Sequence, residues 1–257
     1  MPATADIGLV CHIAVLEKQA AVLCTVFDIP RRKAIPREGF YLQLDEYGLS
    51  LCQAGRGAPG PVRVDFVGGE MGHRQRFGGG RGQALARAVG MKAGFSPDIF
   101  DATAGLGRDG FVLASLGSRV TLCERSPLVA ALLHDALRRA ADDSTIGAWI
   151  NDRLQLVNAD AGHYLLKLAE AERPEVVYMD PMYPSGKAHV QVKKGMRALQ
   201  QLVGPDLDSD ALLDIALQTA TRRVVVKRPQ RAGWIQDRKP DTRIASKKTR
   251  YDIYITL

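Results

Sequence analysis

Two short stretches of this chain carry residue types in an order that can do chemistry. The first is DATAGLGRD, Asp101 to Asp109. Its glycines, Gly105 and Gly107, allow a tight turn and a close approach of backbone to ligand, because no Cβ intervenes. Glu124 follows 23 residues after Asp101. At the end of a second strand, such a carboxylate can accept both hydroxyls of a ribose. Gly105, Gly107 and Gly110 also match the spacing of a dinucleotide-binding turn. However, Asp101 and Asp109 put negative charge where a pyrophosphate needs an electropositive cradle. Carboxylates suit a cationic, phosphate-free ligand that carries a ribose. S-adenosylmethionine, with its sulfonium and ammonium, is such a ligand. Asp160, after a third strand, can accept from an adenine amino group, cap the next helix, or do both.

The second stretch is Asp180-Pro181-Met182-Tyr183-Pro184. It resembles the (D/N)-P-P-(Y/F) motif of amino-group methyltransferases, with methionine in the third place. An exocyclic base amine is a poor nucleophile, because its lone pair is delocalised into the ring. Asp180 and a nearby carbonyl can accept the amine hydrogens and favour a more pyramidal nitrogen. Pro181 stiffens the loop, and Tyr183 offers an aromatic face to an extruded base. Asp180, Pro181 and Tyr183 are therefore the catalytic candidates.

The elements that must hold these loops can be read from the pattern. Residues 1–70 predict a small α/β subdomain, with a helix from Leu16 to Phe27 and a hairpin turning near Glu46–Gly48. Residues 71–82 predict a connecting loop. The stretch Gly68–Gly82 holds seven glycines and three arginines. From residue 83 to 257, strands such as DIFDAT, RVTLCE, LQLVNA, EVVYMD and RRVVVKRP alternate with helical stretches. That alternation predicts βαβ units and a mostly parallel, Rossmann-like sheet with helices on both faces. Further helices are predicted over 194–203 and 208–221, and the tail strand YDIYITL can pair with TRIAS.

Composition sets the outer bounds. The 257 residues are 46% hydrophobic and 25% charged, so disorder, collagen and coiled coil fail as whole-chain descriptions. No apolar run reaches the roughly 18 residues of a membrane span, and MPATADIGLV has neither a basic start nor a cleavage site. Four scattered cysteines without C-x-x-C argue against zinc and disulfides and fit a reducing cytoplasm. His134 and His163 have no partner at metal spacing, so no metal is expected. The net charge is +7, and the 36 residues from Arg222 hold eleven Lys/Arg against three Asp, which suits a polyanionic partner such as nucleic acid.

Longer blocks then join the motifs. VDFVGG, HRQRFGGGRGQALARAVGMK, DATAGLGRD, LCERSPLVAALLHDALRRA, VVYMDPMYP, MRALQQLVGPDLD, RRVVVKRP and the tail YDIY closely resemble the RsmJ family. The resemblance runs from about Val62 to Tyr254, and the first sixty residues match only loosely. It implies a class I S-adenosylmethionine-dependent methyltransferase sheet. It also implies methylation of the N2 amine of one guanine near the 3′ end of 16S ribosomal RNA, free or in the small subunit. Implied cofactor contacts are Arg108, Asp109, Glu124, Arg125, Asp160, Ala161 and Asp180, beside Asp101, Gly105 and Gly107. The acid at Asp160 departs from the small hydroxyl residues of related members.

Cations near these loops are candidates for RNA phosphates: His73, Arg74, Arg76 and Arg81 in the glycine-rich segment, Lys193, Lys194 and Arg197 after the DPMYP loop, and Lys227 and Arg228 at the end of a strand. Lys247, Lys248 and Arg250 lie near the terminal strand and are equally compatible with solvated charge. The competing readings are an adenine N6 methyltransferase on RNA or DNA, a non-catalytic RNA-binding ribosome assembly factor, and a nicotinamide-dependent oxidoreductase. Oligomeric state is not legible.

Overall fold

Apolar residues at strand spacing near the amino terminus build a small sheet in the computed structural model of the chain, which describes residues 7–68, 80–182, 203, 204, 206 and 208–256. Its strands are β1 (Leu9–Cys11), β2 (Arg31–Arg32), β3 (Gly39–Asp45), β4 (Gly48–Ala54) and β5 (Val62–Arg63). They lie in the order β2-β1-β3-β4-β5, with helix α1 (Glu17–Val26) after β1. The β3–β4 hairpin turns over Glu46 and Tyr47, as its sequence predicts.

The larger sheet follows helix α2 (Ala84–Ala88). It comprises β6 (Ile99–Asp101), α3 (Arg108–Ser115), β7 (Val120–Glu124), α4 (Pro127–Ala141), α5 (Gly147–Arg153), β8 (Leu154–Asn158), α6 (Ala161–Leu165), β9 (Val176–Met179), α7 (Ser209–Thr219), β10 (Arg223–Pro229), β11 (Thr242–Ala245) and β12 (Thr249–Ile255). Every residue of β9 is buried, as are Val224–Val226 of β10. Such unbroken apolar runs belong to strands covered on both faces. The strand order is β11-β12-β10-β9-β6-β7-β8. β8, β7, β6, β9 and β10 pair in parallel, and β12 runs antiparallel to β10. The order reverses between β6 and β9, so a ligand crevice belongs at the carboxyl ends of these two strands.

The two sheets share one apolar core, which runs from Leu9 and Leu42 through Phe66 to Phe111 and Leu133. Phe66 stacks on Phe111, with centroids 4.7 Å apart and planes 8° from parallel. A polar clasp joins them too. Asp135 of α4 accepts from Leu49 N (2.8 Å), Gln19 Nε2 (2.9 Å) and Arg139 Nε (2.8 Å). Gly48 makes room for this clasp, because a Cβ there would meet Asp135 Oδ2 at 2.5 Å and Arg139 Nε at 2.4 Å. A second apolar cluster, with Phe100, Val177, Met179 and Leu213, belongs to the larger sheet.

Local expectations differ from the structure in three places. Helix α5 was not expected, because GAWINDR is too short to show a period, and Trp149 packs against Phe111 (5.5 Å) from one turn. AGHYLLKLAEA reads as one helix in sequence, but helix α6 stops at Leu165 and a separate 3₁₀ turn covers Glu170–Glu172, where Glu172 accepts from Ala169 N (3.1 Å). VRVDFVG reads as a short strand in sequence, but only Val62–Arg63 takes up strand pairing. Most of the connector at 71–82 and of the helix at 194–203 lies outside the described residues.

Candidate active site

The first βα turn leaves β6 at Asp101 and enters α3 at Arg108 through Gly107, whose φ is +68°. A Cβ at Gly107 would meet Leu133 at 2.8 Å and Phe66 at 3.2 Å. A side chain there would both strain the turn and push α3 off the core. The turn, the ends of β7 and β8, the start of α6, Asp180–Met182 and one face of α7 enclose a cavity of about 560 Å³.

Carboxylates line its floor. Asp101 is buried, and its carboxyl is held well above the usual range by burial first and by the neighbouring Asp109 second. Glu124 accepts from Gly105 N (3.0 Å) on one oxygen and Ser126 N (2.7 Å) on the other. Burial pushes its pKa up to about 7, against these two hydrogen bonds. Each oxygen keeps a second lone pair for a ribose hydroxyl. Cys123 also lines the cavity, but burial pushes its thiol up to about 12, so it is not a nucleophile at neutral pH.

A second network sits between β6, β9 and β10. Lys227 Nζ donates to Asp180 Oδ2 (2.7 Å) and to Asp109 Oδ2 (2.8 Å), and Tyr178 Oη donates to that same Asp109 oxygen (2.7 Å). Burial alone would lower the Lys227 pKa, but the two carboxylates overcome this and raise it. Burial and Asp109 raise Asp180 above its ordinary value, opposed by Lys227. With an ammonium at 2.7 Å and a side chain 42% exposed, we take Asp180 as ionised at neutral pH. Among the described residues its Oδ1 accepts no hydrogen bond. Asp180 N is tied to Thr103 Oγ1 (2.6 Å), which fixes the strand tip against the glycine turn.

The cavity therefore fits S-adenosylmethionine chemically. Seven acids line it, among them Asp101, Asp109, Glu124 and Asp180. The space beside Gly105 is open, since a Cβ there would meet nothing closer than 3.9 Å. Arg108 and Ala161 line the wall. Asp160 also lines it and caps α6, accepting from His163 N (2.8 Å). Arg125 reaches across the mouth to Asp208 (2.9 Å) and Asp206, and Asp206 accepts from Met182 N (2.7 Å). These pairs, with Thr103 and Tyr178, were not singled out in the sequence, because each partner lies on a different element.

The expected RNA contacts divide. Tyr183, His73, Arg74, Arg76, Lys193, Lys194 and Arg197 lie outside the described residues. Arg81, expected to grip phosphates, instead donates to Lys92 O (2.6 Å), Ser96 Oγ (2.9 Å) and Leu116 O (3.0 Å), at the amino edge of the sheet opposite the cavity. Arg228 is turned inward and donates to Gly233 O (2.7 Å). Lys227 is engaged by carboxylates rather than displayed to a backbone. Strand alternation explains the last two, since neighbours in β10 must face opposite sides and both sides are covered.

Known proteins resemble this chain over most of its length. Residues 11–256 match the family model described as putative SAM-dependent methyltransferase. Ribosomal RNA small subunit methyltransferase J of Aeromonas salmonicida is 58% identical over 196 residues, covering 76% of this chain and 78% of that protein. The protein of the same name from Cellvibrio japonicus is 47% identical over 259 residues, covering 97% of each. The crystal structure of a SAM-dependent methyltransferase from Neisseria gonorrhoeae superposes with a TM-score of 0.76 at 33% identity, covering 96% of this chain and 95% of that one. The chain belongs to the ribosomal RNA small subunit methyltransferase J family of S-adenosylmethionine-dependent methyltransferases.

Proposed function

We propose that this protein methylates the exocyclic N2 amine of one guanine near the 3′ end of 16S ribosomal RNA, free or in the small ribosomal subunit. The relatives' names supply the RNA, and the family resemblance of the DPMYP and RRVVVKRP blocks supplies the base. One observation carries the chemistry: Asp180 lines the cavity, Lys227 anchors it through one oxygen, and among the described residues no protein donor fills the other.

When bound, S-adenosylmethionine supplies a methyl group already activated by the sulfonium charge. The protein's residues do the rest. Glu124 and Asp160 hold the nucleoside end, and the acidic floor holds the cationic end. Asp180 Oδ1 accepts an amine hydrogen, aligns the nitrogen lone pair with the methyl group, and receives the proton released on transfer. Lys227 keeps that carboxylate ionised and in place. The Thr103 bond to Asp180 N and the rigidity of Pro181 prepare the alignment before the base arrives. The buried floor excludes water.

We place the enzyme in the cytoplasm. All four cysteines are free thiols, as a reducing compartment keeps them, and among the described residues no helix is long and apolar enough to cross a membrane. The test is mass mapping of 16S ribosomal RNA from a strain lacking the gene, before and after incubation with purified protein and cofactor. One guanine should gain one methyl group on N2. A methylated adenine, or an unchanged map, would overturn the assignment.

A further inference from the structure

The carboxyl edge of the large sheet continues past the cavity onto a flank that methyl transfer does not use. Lys227 lines the cavity, and β10 ends two residues later at Pro229. Thr249 of the antiparallel β12 lies opposite Pro229, and β11 ends at Ala245 opposite Arg250. Loop 230–234 therefore leaves the strand that carries Lys227, and the hairpin tip 246–248 emerges on the same edge one to two strands beyond it, about 5 to 10 Å along the sheet. They also touch, as Gln230 N donates to Lys248 O (3.3 Å) and Gln230 Nε2 to Ser246 O (3.4 Å).

Arg231, Lys247 and Lys248 are exposed on this rim, and among the described residues none of them joins an ion pair. Several other cations of the region are occupied, whereas Lys239 and Arg243 are exposed and, among the described residues, join no ion pair either. Arg250 pairs with Asp252 in the core, Arg222 pairs with Glu175, and Arg238 with Asp214. Beside the three rim cations stands Trp234, 39% exposed. An indole left at the surface forgoes the stabilisation that burying its large apolar area would bring.

The loop that displays Arg231 and Trp234 is held from beneath. The buried Arg250, fixed by Asp252 (2.8 and 3.0 Å), donates to the carbonyls of Pro229 (3.2 Å), Gln230 (2.9 Å), Ala232 (2.7 Å) and Gly233 (3.1 Å). A loop fixed in this way loses little conformational freedom on binding.

We propose that loop 230–234 and hairpin tip 246–248 form the docking rim for the unpaired RNA strand that leads into the cavity. Arg231, Lys247 and Lys248 meet its phosphates, and the Trp234 indole stacks on a base flanking the target. Exposed cations beside an aromatic plane are what an unpaired strand requires, because phosphates supply charge and splayed bases supply π faces. The proposal rests on the reading of the protein as a ribosomal RNA methyltransferase.

Full-length variants test it on unmethylated 16S ribosomal RNA. R231Q/K247Q/K248Q should raise the KM for RNA about tenfold or more. It should also flatten the slope of log affinity against log salt by about two, as three phosphate contacts to a single strand predict. W234A should raise KM about fivefold or more with the slope unchanged. Both should keep wild-type affinity for S-adenosylmethionine by calorimetry. The exposed residues Lys33, Arg37 and Arg56 supply a charge-matched control, K33Q/R37Q/R56Q, which should keep the wild-type KM and slope. Rim variants that methylate with wild-type KM and slope, or a control that shifts as far as the rim triple, would overturn the rim alone. Wild-type protein that neither binds nor methylates the RNA would overturn the substrate reading, and the rim with it.

Discussion

Asp135 and Asp180 are both carboxylates held by cations, and they differ in what is left over. Asp135 is fully buried between the two sheets. Its oxygens accept from Gln19, Leu49 N and Arg139 at 2.8 to 2.9 Å, with Arg138 at 3.5 Å. Asp180 is anchored, among the described residues, through Oδ2 alone and stands half-open at a cavity. A buried acceptor whose lone pairs are filled by protein donors has nothing to offer a ligand and acts as a rivet. An acceptor held on one side and open on the other is oriented for something that arrives later. The number of protein donors, more than burial or charge, separates the structural acid from the chemical one.

Substitutions test that distinction, beginning with the largest effect. Asp180→Ala should lower the rate of methylation about 10³-fold, as loss of a positioned proton acceptor predicts. Cofactor binding should be retained in part, and the melting temperature should stay near wild type. A variant with full activity would move Asp180 into the same class as Asp135.

Asp135→Ala should do the reverse. Removing one partner of a buried ion pair strands Arg139 and the Leu49 N–H, which costs about 3–5 kcal/mol of folding free energy. Chemical denaturation reads that loss, while the folded fraction should keep its specific activity.

Lys227→Met should slow methylation about 10²-fold. Without the ammonium, Asp109 and Asp180 repel each other and both carboxyls rise. The acid limb of the rate–pH profile should therefore move to higher pH, and Lys227→Arg should restore part of it. A profile that stays in place would reduce Lys227 to a packing residue.

The smallest effect concerns Glu124, whose pKa lies near 7 in the folded protein. Its ionised form is the better acceptor for ribose hydroxyls. Cofactor affinity measured by calorimetry should rise about tenfold between pH 6 and pH 8 as that group ionises, and Glu124→Gln should flatten the dependence. Stability of the unbound protein should run the other way. The ordinary carboxyl of the unfolded chain ionises near 4.5, so between 4.5 and about 7 rising pH favours unfolding.

Parts of this were legible in the residues alone. VVYM and VVV read as strands because an unbroken apolar run suits a sheet covered on both faces. DATAGLGRD read as a ligand turn because its glycines and acids exclude most other uses. PLVAALLHDALRRA read as a helix because Pro127 at its start and its apolar spacing agree. Helix α5 was illegible for lack of length. Asp135 was illegible as a clasp, because its partners Gln19 and Leu49 lie 116 and 86 residues away. Arg81 and Arg228 looked like phosphate ligands, because a charged side chain carries no mark of which way its strand or loop will turn it.

The chain's local chemistry by itself determined the alternating architecture, the acidic glycine turn and the DPMYP motif, since each depends on residues close together. Which cation serves the active site was decided only by tertiary structure. Parallel pairing of β10 with β9 sets Val226 against Met179, so the next residues, Lys227 and Asp180, fall level at the strand tips although 47 positions separate them. Sheet register is a property of two strands together. Neither strand encodes alone whether Lys227 or Arg228 meets the carboxylate, because shifting the pairing by one residue exchanges the two faces.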